Sequence, residues 1–97
     1  MPTYIGLFNY TQQGIQNIKD SPARLDTAKK AAQAVGVEVT QVYLVMGQYD
    51  MVVIAEAPDD ETMAKLAIAT GSLGNVRTQT MRAFTEDEFR KIVAGLP

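Results

Sequence analysis

The stretch from Val37 to Ala57 constrains the fold of this chain more than any other. Two runs rich in β-branched and aromatic residues flank the tip Gly47-Gln48-Tyr49-Asp50. A glycine at the first central position of a two-residue loop is the pattern of a type II′ turn, whose twist suits a β-hairpin. Such a turn fixes the register, setting Met46 opposite Tyr49 and Val45 opposite Asp50. Opposed residues share a side, and the sides alternate along each strand. One side then collects Thr40, Val42, Leu44, Met46, Tyr49, Met51, Val53 and Ala55, and is assigned to covering helices. The other collects Val39, Gln41, Tyr43, Val45, Asp50, Val52, Ile54 and Glu56. That second side is more apolar than a sheet surface left to water should be.

Around the hairpin, periodicity and capping residues place the remaining elements. Tyr4 to Tyr10 predicts a strand, and Thr11 to Lys19 one or two helical turns. Ser21-Pro22 predicts a helix start, with Leu25, Ala28, Ala32 and Val35 at helical spacing and Gly36 at its end. Asp59-Asp60-Glu61 suits the positive end of a second helix, whose buried side is Met63, Leu66, Ala67, Thr70 and Leu73. Gly74-Asn75 ends it, and Asn75 to Ala83 predicts a last strand. Thr85-Glu86-Asp87-Glu88 is a capping box flanked by Phe84 and Phe89, and opens a terminal amphipathic helix marked by Phe89, Ile92, Val93 and Leu96.

The resulting order, β-α-β-β-α-β plus one helix, is the split β-α-β, ferredoxin-like arrangement. It is an α+β fold with a four-stranded antiparallel sheet and helices on one face. Ninety-seven residues make one domain, residues 1–97. In the first strand, Ile5 and Leu7 are taken as the helix-side pair, which leaves Tyr4 and Phe8 to join the second face. The helices of so short a chain cover one face only, so the second predicts an interface. The simplest closure is a sheet-to-sheet homodimer or higher oligomer, because a two-fold axis makes a surface its own partner. The alternative is that the terminal helix folds back over that face.

Several function classes are excluded by what the chain lacks. It has no cysteine and no histidine, which removes disulfides, thiolate nucleophiles, proximal-histidine haem and the usual zinc sites. The net charge is −2, and no basic run exceeds a pair, so no nucleic-acid face is expected. No apolar run approaches the ~20 residues of a membrane span. Met1-Pro2-Thr3-Tyr4 carries no signal-peptide pattern, and the chain reads as cytoplasmic. Asp59-Asp60-Glu61 is better explained as a helix start than as a metal site, and no cofactor is expected.

The candidate site residues each have a structural and a functional reading. Asp50 is either a carboxylate of raised pKa, acting as base or ligand anchor, or a group that satisfies backbone N–H donors at the turn. Tyr49 either packs on the helix side or walls a pocket. Arg77 and Arg82 lie on opposite faces because their spacing is odd. One of them pairs with Asp50 or Glu56, across the sheet or the dimer, or recognises an anion. Tyr4, Phe8, Tyr10 and Tyr43 form either core packing or a wall for a flat organic ligand. Tyr43, Asp50 and Arg82 are the only catalytic candidates, and no catalytic motif is present.

The tip Gly47-Gln48-Tyr49-Asp50 resembles the Gly-x-Tyr-Asp signature of the GYD domain family. Gln13 to Pro22, Glu56-Ala57-Pro58-Asp59-Asp60, Leu73 to Thr78 and Arg82-Ala83-Phe84-Thr85-Glu86 are similar to it too, so the likeness spans about residues 3 to 89. The resemblance implies a dimeric α+β barrel. With the residue reading, it leads to two expectations. The first is a homo-oligomeric module with a small organic ligand in a sheet/helix or inter-subunit cavity. The second is a cofactor-independent monooxygenase or isomerase acting on an aromatic or quinone-like substrate.

Overall fold

A computed structural model describes residues 1–97. The chain runs β1 (Thr3–Tyr10), α1 (Gln12–Gln16), a 3-10 turn (Ile18–Asp20), α2 (Ser21–Ala34), β2 (Glu38–Leu44), β3 (Met51–Glu56), α3 (Asp60–Ser72), β4 (Val76–Ala83) and α4 (Glu86–Ala94). The strands form one sheet in the order β2-β3-β1-β4, and every neighbouring pair is antiparallel. This is the α+β, ferredoxin-like arrangement that the sequence predicts.

Local chemistry explains the helix ends. α2 closes on Gly36 at φ +82, with the Gly36 N–H donating to Gln33 O and the Val37 N–H to Ala32 O. That pair of bonds is a Schellman cap, whose left-handed residue favours glycine. The Asp59 carboxylate accepts the Thr62 N–H at 2.7 Å and caps α3. Thr85 and Glu88 form the reciprocal capping box of α4. Ser21 differs from its expected role. It is the first residue of α2 rather than its cap, and its hydroxyl is engaged with the Tyr10 hydroxyl at 2.8 Å.

The hairpin keeps the expected register up to Leu44 opposite Met51 and the Val45 N–H donating to Asp50 O. The tight turn pairing Met46 with Tyr49 does not form: the strands end at Leu44 and Met51, and the Asp50 N–H turns to Phe8 O. Gly47 has φ +124, a conformation that favours glycine. Side assignments change within the hairpin and in β1. A bulge between Val39 and Gln41 turns Val39 to the helix side and leaves Glu38 on the other, because an inserted residue reverses the alternation beyond it. In β1 the assignment reverses: Tyr4, Gly6, Phe8 and Tyr10 face the helices, while Ile5 and Leu7 face away. The Tyr4 hydroxyl reaches Asp60 at the start of α3, and a Cβ on Gly6 would meet the Phe8 ring at 2.6 Å. Aromatic side chains bridge the gap to the helix layer, and the glycine makes room beneath one of them.

The fully buried core sits at one end of the helix layer and comprises Tyr4, Ala32, Val37, Ala55 and Ala57, with Val39, Met63 and Leu66 packed against it. α4 does not fold back over the sheet. It makes no substantial contact with another element, and Phe89, Ile92, Val93 and Leu96 stay exposed. The molecule is therefore long and thin, 52 × 31 × 19 Å.

Candidate functional site

The uncovered sheet face is a small grid. From the register, Gln41, Ile54, Ile5 and Met81 lie side by side in one row, and Tyr43, Val52, Leu7 and Gln79 in the next. Six of these eight are apolar or aromatic, and no element of the chain covers them. Beyond the first row lie Glu38 and Glu56, and beyond the second lies Arg77 next to Asn9. The polar members of the grid are paired locally. The Tyr43 hydroxyl donates to Gln41 Oε1 at 3.1 Å, and the Tyr49 hydroxyl to Gln79 Oε1 at 2.6 Å. Tyr49 thus leans from the hairpin tip onto this face rather than packing on the helix side.

The opposite face holds a half-open apolar cavity of about 150 Å³ between the sheet and helices α2 and α3. Phe8, Met51 and Val53 form its floor, and Leu25, Ala28, Met63, Leu66 and Ala67 its helix walls. Fifteen of its 21 lining residues are hydrophobic, so the space suits an apolar occupant.

The candidate residues do not meet at one point. Asp50 accepts the Tyr10 N–H at 2.9 Å, and its own N–H donates to Phe8 O at 2.8 Å, so it ties the hairpin tip to the end of β1. Arg82 lies on the helix side, 4.4 Å from the Phe84 ring centroid and 5.9 Å from that of Tyr4, and pairs with Glu88 at 3.8 Å. The expected ion pair of a strand-4 arginine with Asp50 or Glu56 is not formed within the chain. Tyr43 is on the uncovered face, so Tyr43, Asp50 and Arg82 do not converge on a pocket. Arg77 is exposed and makes no ion pair within the chain. Phe8 lines the cavity and Tyr4 is buried in the core.

Burial pushes the Tyr4 hydroxyl up to about 12, and its hydrogen bond to Asp60 acts in the same direction. That phenol is therefore a fixed donor rather than an acid near neutral pH. The Thr85 N–H holds the Glu88 carboxyl below its ordinary value, and the Thr62 N–H does the same for Asp59. Both shifts belong to helix caps.

Two features go beyond sequence reasoning. One is the lining of the cavity: a sheet/helix space is one of the two expected places for a ligand, but the signal for its lining is the alanines at Ala28 and Ala67, where helix faces normally carry larger side chains. The other is a latch between α1 and the α3–β4 turn. Thr11 Oγ1 donates to Gly74 O at 2.5 Å, the Thr11 N–H to Asn75 O at 3.1 Å, and Gln13 Nε2 to both Leu73 O and Asn75 Oδ1.

Comparison with known proteins yields a consistent set. The GYD domain family matches residues 4–93. A curated relative from Thermus thermophilus is 34% identical over 84 residues, covering 86% of this chain and 88% of its own length. Its name is glutamine synthetase and cystathionine beta-lyase binding protein. A crystal structure of a protein from the same organism is similar at a TM-score of 0.57 and 26% identity, over 88% of this chain and 95% of that one. A feast or famine regulatory protein from M. tuberculosis, solved with L-methionine, has a TM-score of 0.67 at 19% identity, over 88% of this chain and 51% of that one. At that identity the likeness is one of fold alone.

Proposed function

This chain belongs to the GYD family, and on that premise we propose that it is a cytoplasmic module that works by binding: two copies close over their uncovered sheet faces, and the resulting dimer engages other proteins. The observation that carries the proposal is the group of six apolar or aromatic side chains at the centre of a sheet face that the chain leaves open. Contiguous apolar surface of this kind marks an interaction site. A second copy supplies a complementary surface without any further partner. The relative named for binding glutamine synthetase and cystathionine beta-lyase supports the second half of the reading. Metabolic enzymes of those two kinds are the partners to test first. The free apolar stripe of α4 is the surface offered to them, because the dimer closure uses the sheet. The inner cavity holds a small organic molecule.

Light scattering at micromolar concentration tests the first half. The expected mass is twice the 10.6 kDa of the chain, and a monomer mass over the whole range would overturn it. Biolayer interferometry against purified glutamine synthetase and cystathionine beta-lyase tests the second half. Binding to either, weakened by Phe89→Ser with Ile92→Ser, is the expected result. Absence of binding to both at tens of micromolar rejects the choice of partners.

A further inference from the structure

The helix layer is packed where β1 begins, and an unfilled space runs from that core along the layer. The buried core of Tyr4, Ala32, Val37, Ala55 and Ala57 occupies the end where β1 begins. Beyond it Phe8, Leu25 and Met51 are only half-buried, around a space of about 150 Å³ whose wall begins at Ala32, Val37 and Ala55 of that core. Protein interiors normally close such gaps, because unfilled apolar space forfeits contacts on every wall. The gap is also written into the sequence. α2 and α3 turn Ala28 and Ala67 toward it, at positions where leucine would fill it with little loss of helix propensity.

The lining has a charge sign as well as a shape. It contains two cations, Arg24 and Lys29, and no aspartate or glutamate. Neither cation is in an ion pair. The Arg24 guanidinium is held in place, with Nη1 donating to Asn17 O at 3.0 Å and Nη2 to Gly14 O at 3.3 Å. Arginine has five N–H donors in a fixed fork, so a guanidinium anchored this way still has donors for an anion. The other polar groups of the lining, among them the Tyr10 hydroxyl and the Asn75 amide, are neutral.

The geometry points to a ligand: we propose that this cavity binds a small organic acid, its compact apolar body lodged between α2 and α3 over Phe8 and its carboxylate held by Arg24. A space of about 150 Å³ is the size that accepts a benzene-sized body, which sets the size of the apolar part. The inference shares with the reading above only the statement that the cavity takes a small organic molecule. The cavity lies on the opposite side of the sheet from the self-association face, so the two stand or fall separately.

The test is a ¹H–¹⁵N titration of the full chain with phenylacetate, alongside toluene as the neutral body and acetate as the bare head. Phenylacetate is expected to shift the amides of α2, α3 and Phe8 saturably, at least tenfold more tightly than acetate. Arg24→Gln is expected to weaken phenylacetate about tenfold while leaving toluene within twofold, which also shows that the variant is folded. Ala67→Leu fills the space and is expected to abolish both, while its melting temperature holds or rises. Should Ala67→Leu fail to fold, Ala28→Leu makes the same test from the other wall. Shifts confined to surface lysines, no saturable shift at millimolar phenylacetate, or equal binding by folded Ala67→Leu would each overturn the proposal. A dimer mass unchanged by any of these variants leaves the self-association reading untouched.

Discussion

Replacing Gly14 with alanine should destabilise the protein, although alanine is the better helix former. Gly14 is buried inside α1, and on propensity alone the exchange gains about 0.5–1 kcal/mol. A Cβ at that position, however, would lie 1.9 Å from Asn75 O, 2.9 Å from its carbonyl carbon and 3.2 Å from its Cα. Real Cβ contacts stay beyond 3.0 Å, so α1 and the α3–β4 turn must part by roughly 1 Å or more. Backbone on both sides leaves no side chain to rotate away. The separation stretches the latch of Thr11 and Gln13 on residues 73–75, whose four bonds contribute about 0.5–1.5 kcal/mol each. Taking the low end for the exposed glutamine bonds and subtracting the propensity gain leaves a net loss of about 1–3.5 kcal/mol. For a domain of this size that is a fall in Tm of about 5–25 °C. Gly71→Ala in α3 is the paired control: its Cβ would meet nothing within 4 Å, and it should stabilise by about 0.5–1 kcal/mol. Thermal and urea unfolding followed by circular dichroism reads both. A Gly14→Ala protein as stable as the parent would refute the close approach of α1 to Asn75.

Ile54→Lys places a charge in the middle of the uncovered face, beside Ile5. Each copy loses about 1.5–3 kcal/mol of burial and gains an unpaired ammonium, so dimer dissociation should rise by at least about a thousandfold in sedimentation equilibrium, with unchanged circular dichroism. An unaltered association constant would move the interface elsewhere. Tyr4 carries a pH signature. Its folded pKa of about 12 lies above the ordinary 10.0, so the folded state holds its proton longer. The associated stability is complete below pH 10 and is lost as pH rises toward 12. Asp60 is solvent-exposed, so only about 1 kcal/mol is expected. Urea midpoints between pH 9 and 12 should show the decline in the parent and a shallower one in Tyr4→Phe; identical slopes would show that Tyr4 titrates normally.

The elements were legible because short-range chemistry fixes them. Gly36, Asp59 and the Thr85–Glu88 pair act within one helical turn of their own positions, and the hairpin register from Leu44–Met51 to Gln41–Ile54 follows from the alternation of its two runs. The side assignment of β1 was not legible. Tyr4 and Phe8 form one parity set, Ile5 and Leu7 the other, and both are apolar, so alternation carries no sign. The sign comes from long-range geometry: Tyr4 must reach Asp60, 56 residues away. Gly6 was the available hint, since a glycine within a strand marks a close approach, here the Phe8 ring. The bulge at Thr40 was hidden for a similar reason, because its one anchor is a bond from Thr40 Oγ1 to Ile54 O at 3.0 Å, which the hairpin pattern alone does not announce. The choice between a sheet/helix and an inter-subunit cavity was not legible, because the alanines that outline the former read as ordinary helix formers until two helices are set side by side.

The charges of the uncovered face carry the self-association argument one step further. Glu38 stands opposite Glu56 at one corner, a like-charge pair that is unfavourable by itself. Arg77 stands at the diagonally opposite corner, on the far edge strand and at the other end of the sheet. A two-fold axis lying between two such faces, along the remaining diagonal, brings each Arg77 onto the partner's acidic pair. It also crosses the strands at nearly a right angle, one of the two ways in which sheets pack. Arg77→Glu should then weaken the dimer about 10- to 100-fold, by losing two attractions and adding two repulsions of about 1 kcal/mol or less each, and Glu56→Arg should weaken it similarly. Mixed in equal amounts, the two variants regain both opposite-charge contacts, so the heterodimer should form with near-parental affinity. The advantage should shrink in 1 M salt, where the screening length falls to about 3 Å. A mixture no tighter than either variant alone would rule out the diagonal arrangement. The Ile54→Lys result would then decide by itself whether this face is the interface.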